Sequence, residues 1–228
     1  MNTPLLILVG SIMAVAGFAA AQTRPAGTAS APATSQAATT TAATKPQVTF
    51  CGLAVETSRV VFVVDHSGSM LDTLDDLKRM VKKSIVKIAP PQQFGIVAVS
   101  SDKASIIAQS KLKLFEATPK NIESAQKAID ELRGPSSGDD LLPPLQEAFE
   151  YAFRLRPDTI IFITDGHFDP KLEMIVARLN KNQIVVIHTF ALLNKEPSYE
   201  EQLKKMANDN RGKYKFVSEK DLEQNNRK

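Results

Sequence analysis

The chain has 228 residues, of which 43% are hydrophobic and 23% charged, and its formal net charge at pH 7 is +3. This composition fits one ordinary globular domain with some additional length, so we expect one core and not two. Two of the 28 basic residues are Arg24 and Lys45, which leaves 26 basic residues against 25 acidic ones from residue 49 onward. Such a balance gives no support for binding nucleic acid or an anionic membrane surface.

The N-terminal segment predicts export. Residues 5–21 form an uncharged apolar run that ends with Ala19 and Ala21 in the Ala-x-Ala arrangement cut by signal peptidases. We predict a signal peptide over residues 1–21 and a mature chain that is secreted or held in the cell envelope or periplasm. An uncleaved membrane anchor stays open, because no Lys or Arg precedes the run and its length is near that of a membrane span.

A linker follows the apolar run. Residues 22–47 are rich in Ala, Thr, Ser and Pro and lack apolar periodicity, which predicts a disordered spacer before a folded domain over residues 48–228. Cys51 is the only cysteine and cannot form an intramolecular disulfide. Its apolar neighbours predict a small buried side chain and not a reactive thiol.

The folded part begins with a strand, a short loop and a helix. Residues 60–64 (VVFVV) form a β-branched and aromatic run, typical of a strand buried on both faces of a parallel sheet. The loop DHSGS follows, and apolar residues then recur at helical spacing. These are Met70, Leu74, Leu77, Val81, Ile85 and Ile88.

The alternation of strands and helices continues along the chain. Further strands are predicted over residues 94–99, 106–108, 159–164, 183–190 and 213–217. The second of these is close enough in sequence to pair antiparallel with the first. Thr118 predicts an N-cap with Pro119 at the first helical position. Another helix must begin near Asp140, because Pro143 and Pro144 fit only a first turn.

Three helices complete the predicted elements. Asp169 and Pro170 predict the start of one helix, Ser198 with Glu201 predicts a capping box for the next, and a short helix ends the chain. Strands that alternate with helices predict an α/β fold with a doubly wound, mostly parallel central sheet, one short antiparallel edge strand and helices on both faces. Ligands bind such sheets beyond the carboxyl ends of the strands, where the winding reverses.

Oxygen-bearing side chains follow two of the predicted strands. Asp65, Ser67 and Ser69 form an Asp-x-Ser-x-Ser loop, and Asp165 follows a later strand. Hydroxyl and carboxylate oxygens favour a hard cation, either Mg²⁺ or else Mn²⁺ or Ca²⁺. Asp165 would hold cation-bound water. The alternative is that the serines only cap the following helix and Asp165 only turns the chain.

The segments VVFVVDHSGSM, FGIVAVS and TIIFITDG resemble the von Willebrand factor type A (VWA) family and its metal-ion-dependent adhesion site (MIDAS), across almost all of residues 49–220. The resemblance implies a Rossmann-like fold and a protein-binding role. It implies that Ser67 and Ser69 bind the cation directly, whereas Asp65 and Asp165 act largely through water. An acidic side chain of an unknown protein partner would then complete the coordination.

One position departs from the family. The threonine that binds the metal in the family is missing from this chain. Aligning LLPPLQEAF with the usual helix of the family places Asp139 at the position of that threonine, with Ser137 as the nearest hydroxyl. If Asp139 is a ligand, three carboxylates exceed the charge of a divalent cation by one, so the site would repel acidic ligands. Alternatively, Asp139 caps the following helix and Ser137 supplies the ligand oxygen.

Two other functions compete with metal-dependent binding. The first is an interaction module that needs no metal. The second is an aspartate-based phosphatase, which requires an acid two residues after its nucleophilic aspartate, where this chain has Ser67. We therefore predict no enzymatic activity. Of the histidines, His188 is predicted to be packed within its strand, and His167 is the one placed to lie near the metal.

Overall fold

The computed structural model describes residues 46–108, 112–134, 141–166 and 168–226. Within them the strands are β1 (Gln47–Phe50), β2 (Leu53–Glu56), β3 (Arg59–Asp65), β4 (Gln93–Val99), β5 (Ala104–Ile106), β6 (Phe115–Glu116), β7 (Thr159–Thr164), β8 (Val186–Leu192) and β9 (Tyr214–Val217). The helices are α1 (Leu74–Ile85), α2 (Pro119–Asp130), α3 (Leu142–Arg154), α4 (Lys171–Leu179), α5 (Pro197–Asp209) and α6 (Glu219–Asn226). A 3₁₀ helix, Gly68–Thr73, immediately precedes α1.

Several predicted features lie outside the described residues. They are the signal peptide, residues 22–45 of the linker, Ser137, Asp139 and His167. Strand β1 begins at Gln47, the last residue assigned to the linker. No helix among the described residues is long and apolar enough to cross a membrane.

The central sheet confirms the predicted fold class. Its strand order is β5-β4-β3-β7-β8-β9, and β6 also pairs with β4. Strands β4, β3, β7, β8 and β9 are parallel, whereas β5 and β6 run antiparallel to β4. In the central sheet, β3 is the first strand in sequence and lies in the middle. Strand β4 is added on one side of it, and β7 is later added on the other. The winding therefore reverses between β3 and β7, and Asp65 and Asp165 lie at that reversal.

Helices cover both faces of the sheet, which explains the continuous apolar run of β3. Val60, Phe62 and Val64 face a core formed with α1, α2, α6 and β1. Val61 and Val63 face a second core formed with α3, α4 and α5. All five side chains are 2% exposed or less. Each residue of this run is thus buried on one face or the other, as expected for a parallel sheet.

The β1–β2 hairpin extends the first core. Phe50 is fully buried, and its ring lies 4.7 Å from that of Phe190 and 5.9 Å from that of Phe62. The hairpin turn is Cys51-Gly52, and both residues have a positive φ, 45° and 78°. Two residues with positive φ fit the tight turn of a two-residue hairpin. The sequence analysis placed Val48 onward in the domain but did not predict this hairpin.

The thiol of Cys51 is expected to be unreactive in the folded protein. Cys51 is partly buried and not fully buried as predicted, and this burial raises the pKa of its thiol to about 12; its sulfur lies 3.2 Å from the Met80 sulfur. Because the thiolate is the reactive form, disulfide exchange with an aromatic disulfide reagent near neutral pH should be slow in buffer and fast in urea. Equal rates under the two conditions would contradict this burial.

The predicted boundaries of β8 and β5 were partly wrong. Residues 183–185 do not belong to β8: Gln183 has φ 48° and Ile184 is 70% exposed. The side-chain amide of Asn180 binds the backbone of Val185 and takes the place of a strand partner there. Strand β5 ends at Ile106, before the position predicted, and Ala108 has φ 64°.

The predicted capping box of α5 is also wrong. Helix α5 begins at Pro197, with Glu196 as its N-cap residue, so Ser198 lies inside the first turn. The Ser198 hydroxyl donates to the Glu196 carboxylate at 2.6 Å. By contrast, the Thr118 cap is confirmed, since its hydroxyl accepts from the Asn121 backbone N–H at 3.3 Å. Helix α3 begins at Leu142, close to the predicted start.

Candidate functional site

Asp65 lies at the centre of the candidate site. It is the last residue of β3 and is fully buried. Its Oδ1 accepts a hydrogen bond from the Ser67 backbone N–H at 2.9 Å, and its Oδ2 accepts one from the Thr164 hydroxyl at 2.7 Å. The first bond forms a tight turn between Asp65 and Ser67 at the start of the loop. The second joins the carboxyl ends of β3 and β7.

Two hydroxyl groups of the loop converge. Ser67 is 1% exposed, Ser69 is exposed, and their Oγ atoms lie 3.4 Å apart. Adjacent ligands of an octahedral cation lie about 3.0 Å apart for Mg²⁺ and about 3.5 Å apart for Ca²⁺, given the usual metal–oxygen distances. The hydroxyl spacing therefore fits a hard divalent cation with little movement of either side chain.

The alternative interpretation of the serines finds no support in the helix that follows them. Ser67 is the N-cap residue of the 3₁₀ helix, but its side chain makes no capping hydrogen bond to that helix. The N-cap residue of α1 is Thr73, which makes no side-chain cap either. The hydroxyls of the loop are therefore available for a function other than capping.

The carboxylates of Asp65 and Asp165 both lie where the winding of the sheet reverses. Asp165 directly follows β7 and is 9% exposed. Burial raises the pKa of the Asp65 carboxyl to about 6, and the charge of Asp165 adds to the rise, whereas hydrogen bonds from Ser67 and Thr164 oppose it. Two poorly solvated carboxylates close to each other are unfavourable without a counter-ion. A divalent cation would relieve this repulsion, so the residues present fit such an ion.

The loop after β7 is fixed by Gly166. This residue has φ +90°, and a Cβ there would lie 2.7 Å from the Tyr199 Cβ. Both the backbone conformation and the close packing of α5 therefore require glycine. The Gly166 N–H donates to the Thr164 hydroxyl at 3.1 Å, which ties this loop to the end of β7.

The His66 side chain contacts the segment that follows α2. Its backbone N–H donates to the Val99 carbonyl at 2.8 Å, and its ring Nδ1 lies 3.2 Å from the Arg133 carbonyl. That contact requires the proton on Nδ1. Burial lowers the pKa of His66, which keeps the ring neutral near pH 7. His66 also lines a cleft of about 540 Å³ beside the site, with Lys103 and Glu131 among its other lining residues.

Asp65, Ser67 and Ser69 lie on one loop that begins at the end of β3, and Asp165 directly follows the neighbouring strand β7. No group of three or more His, Cys, Asp or Glu side chains that could hold a metal occurs in residues 46–108, 112–134, 141–166 and 168–226. The cation thus stays a prediction that depends on hydroxyl ligands. His188 is packed, as predicted: it is 6% exposed and its Nδ1 accepts from the Lys213 N–H.

Thr164 is the site residue that the sequence analysis missed. The segment was assigned as a buried strand, with no role for its last side chain. One feature of the sequence could have indicated its role. Thr164 is a polar residue at the end of a strand whose four preceding residues are Ile, Ile, Phe and Ile.

The family model of the von Willebrand factor type A domain matches residues 60–227. The chain belongs to this family. Both Asp65 and Asp165 lie within the matched range, as do all helices from α1 to α5. The VWA assignment therefore covers the candidate site and the sheet that carries it.

Solved structures with the VWA fold agree with this assignment. A von Willebrand factor type A protein from Catenulispora acidiphila matches with a TM-score of 0.55 and 20% identity, covering 75% of this chain and 43% of that one. The conserved hypothetical protein BatB from Bacteroides thetaiotaomicron matches with a TM-score of 0.55 and 16% identity, covering 75% and 99%.

A third structure, an aerotolerance-related membrane protein from Bacteroides fragilis, matches with a TM-score of 0.51 and 15% identity, covering 74% of this chain and 96% of that one. No curated protein sequence matches the chain. At these identities the structural matches show a shared fold, and the function has to be argued from the site itself.

Proposed function

We propose that this VWA domain is an exported, non-enzymatic module that binds a protein ligand through a divalent cation. Ser67 and Ser69 would hold the cation directly, and Asp65 and Asp165 would hold it through water. The observation that carries the proposal is the Thr164–Asp65 hydrogen bond at 2.7 Å, because it brings the two loops that bear these residues together at the reversal of the winding.

The hydrogen bonds of Asp65 support a role through water. Its carboxylate already accepts hydrogen bonds from the Ser67 backbone N–H at Oδ1 and from the Thr164 hydroxyl at Oδ2, and the Ser67 side chain also interacts with it. A carboxylate has about four acceptor positions, so it can still accept from a water molecule on the cation. Ser69 is exposed, so a ligand would approach from its side. When bound, the cation supplies positive charge that attracts an acidic side chain of the partner.

The same loop argues against phosphatase chemistry. The acid of an aspartate-based phosphatase would stand at Ser67, whose hydroxyl cannot act as a carboxylic acid and whose N–H is committed to Asp65. The proposal is therefore a binding module. Assays with small aryl phosphates are expected to show no turnover above that of the Asp65→Asn variant.

The proposal is tested by binding of carboxylate-bearing peptides to the mature chain with Mg²⁺ or with EDTA. Binding is expected with Mg²⁺ and should be lost with EDTA and in Ser67→Ala. Ser198→Ala is the matched control, because this exposed serine bonds only to Glu196 in the first turn of α5. Binding that survives EDTA and Ser67→Ala would favour the metal-independent interaction module instead.

The position of the missing threonine ligand gives a separate prediction. If Asp139 is a ligand, Asp139→Thr is expected to weaken cation binding and to increase affinity for carboxylate-bearing peptides, because one negative charge leaves the site. The prediction that Asp139 caps the following helix is wrong, because the N-cap residue of α3 is Leu141. If Asp139 is not a ligand, Asp139→Thr is therefore expected to leave cation affinity unchanged. Loss of cation binding in Ser137→Ala, with none in Asp139→Thr, would assign the ligand to Ser137.

Export gives the next prediction. Cleavage after Ala21 is expected, so the mature chain would begin at Gln22, because the apolar run ends in an Ala-x-Ala site. The description of the Bacteroides fragilis structure as a membrane protein is compatible with an envelope location. N-terminal sequencing of protein expressed from the full gene measures the cleavage site. Material that starts at Met1 and stays in the membrane fraction would support the uncleaved anchor.

A further inference from the structure

We infer that Thr164 is a positioning residue of the proposed cation site, and the inference rests on the proposed metal binding. Its hydroxyl links two loops that are separate in sequence: it donates to Asp65 Oδ2 and accepts from the Gly166 N–H. Thr164 is fully buried, so water does not supply these bonds. We therefore assign to it the orientation of the Asp65 carboxylate.

The direction of both hydrogen bonds follows from the chemistry of the groups. A threonine hydroxyl has one proton, a backbone N–H only donates, and a carboxylate only accepts. The single proton of Thr164 is therefore directed at Asp65, and the Gly166 N–H is directed at the Thr164 oxygen. With the Ser67 N–H on Oδ1, the Asp65 carboxylate is held by two donors from two different strand ends.

The buried surroundings of Thr164 would accommodate an apolar side chain of the same volume, so the hydroxyl is not needed to fill space. The four residues before it on β7 are Ile160, Ile161, Phe162 and Ile163, all fully buried. A valine would fill the same space without leaving a polar atom, and burying a hydroxyl costs free energy unless it is hydrogen-bonded. Gly166 is held in turn by its positive φ and the close packing of Tyr199, so the N–H that donates to the Thr164 oxygen is fixed in position.

Removing the hydroxyl should therefore weaken the site without removing a ligand. Thr164→Val leaves one Asp65 oxygen and the Gly166 N–H without their partner, and the carboxylate is then held from one side only. Substitution of such supporting partners typically lowers metal affinity about 10- to 100-fold. Thr164→Ser keeps the hydroxyl and is expected to restore the affinity of the wild type.

The test compares Mg²⁺ affinity, by isothermal titration of the mature chain, with melting temperature in EDTA. Thr189→Val is the matched control, because Thr189 is also a fully buried strand threonine, but its hydroxyl donates to the Leu203 carbonyl at 2.8 Å and not to a proposed cation-site residue. Both valine variants are expected to melt at lower temperature in EDTA. Only Thr164→Val should lose Mg²⁺ affinity, and Thr164→Ser should regain it.

The measurements distinguish a failure of the proposed cation binding from a failure of the role of Thr164. A wild type that binds no Mg²⁺, Mn²⁺ or Ca²⁺ would refute the proposed function. A wild type that binds, with Thr164→Val equally tight or Thr189→Val equally weakened, would refute the role of Thr164 alone. If Thr164→Val does not fold, Thr164→Cys replaces it, because a thiol is a weaker donor of similar size. Its affinity should then fall below that of Thr164→Ser, and equal affinities would overturn the inference.

Discussion

Asp65→Asn is expected to abolish measurable cation binding while the domain stays folded. A unit charge about 4 Å from a cation contributes about 4 kcal/mol per cation charge at an effective dielectric constant near 20. For a divalent cation this is about 8 kcal/mol, and if desolvation offsets half of it, about 4 kcal/mol remains, which is roughly a 1000-fold loss of affinity. Asparagine has the same shape and can still pair with Ser67 or Thr164.

The stability of this variant should not suffer from the loss of charge. The raised pKa of Asp65 means that its charged form is disfavoured by burial in the folded protein without a cation. A neutral side chain removes that cost and the repulsion by Asp165, which offsets the loss of one hydrogen bond. The melting temperature in EDTA should therefore be close to that of the wild type.

A control for net charge is available at the other end of the sheet. Asp158 precedes β7 and forms an exposed ion pair with Arg59 at 2.6 Å. Asp158→Asn removes the same charge far from the site and is expected to leave Mg²⁺ affinity unchanged. Wild-type affinity in Asp65→Asn, or an equal loss in Asp158→Asn, would contradict the assignment of Asp65.

Gly212→Ala is expected to cause the largest loss of stability among the substitutions considered. Gly212 lies in the turn between α5 and β9, where the backbone runs against β8. A Cβ at this position would lie 1.7 Å from the Ile187 carbonyl oxygen and 2.5 Å from its carbon. Both are backbone atoms within the sheet, so the clash cannot be relieved by a side-chain rotation.

The expected size of this effect is about 3 kcal/mol or more, at the upper end of overpacking substitutions. For a domain of this size, that corresponds to a decrease in melting temperature of about 6 to 12 °C. Gly134→Ala is the matched control, because among the described residues its Cβ would meet the exposed Leu71 side chain, at 3.0 Å, and no backbone atom. Thermal unfolding followed by circular dichroism measures both. A Gly212→Ala protein as stable as Gly134→Ala would contradict the backbone packing described.

Sequence patterns predicted the sheet and the position of the site because both depend on local signals. The VVFVV run predicts a strand that is buried on both faces of the sheet. Asp65 and Asp165 each come directly after a predicted strand in the sequence. The start of α5 had a local signal too: Pro197 precedes Ser198 and favours the first helical position, so Ser198 could not be the N-cap. The proline therefore determines the start of the helix, and the capping-box pattern of Ser198 and Glu201 does not.

Other features depend on contacts that no local pattern reports. The Thr164–Asp65 hydrogen bond joins residues 99 positions apart, and it exists only because β3 and β7 are neighbours. Likewise, β8 begins late because the Asn180 side chain pairs with Val185 and with Asn210 on a distant turn. The two-residue β6 is too short to carry a periodic signal, and its pairing with β4 comes from the packing of the edge.

We propose that this VWA domain holds a divalent cation at Asp65, Ser67, Ser69 and Asp165. Isothermal titration of the mature chain with Mg²⁺, together with thermal unfolding, measures this binding. We expect one cation per chain and a higher melting temperature, since a ligand at about 100 times its Kd stabilises the folded state by about 2.7 kcal/mol. Absence of both binding heat and stabilisation with millimolar Mg²⁺, Mn²⁺ and Ca²⁺ would contradict it.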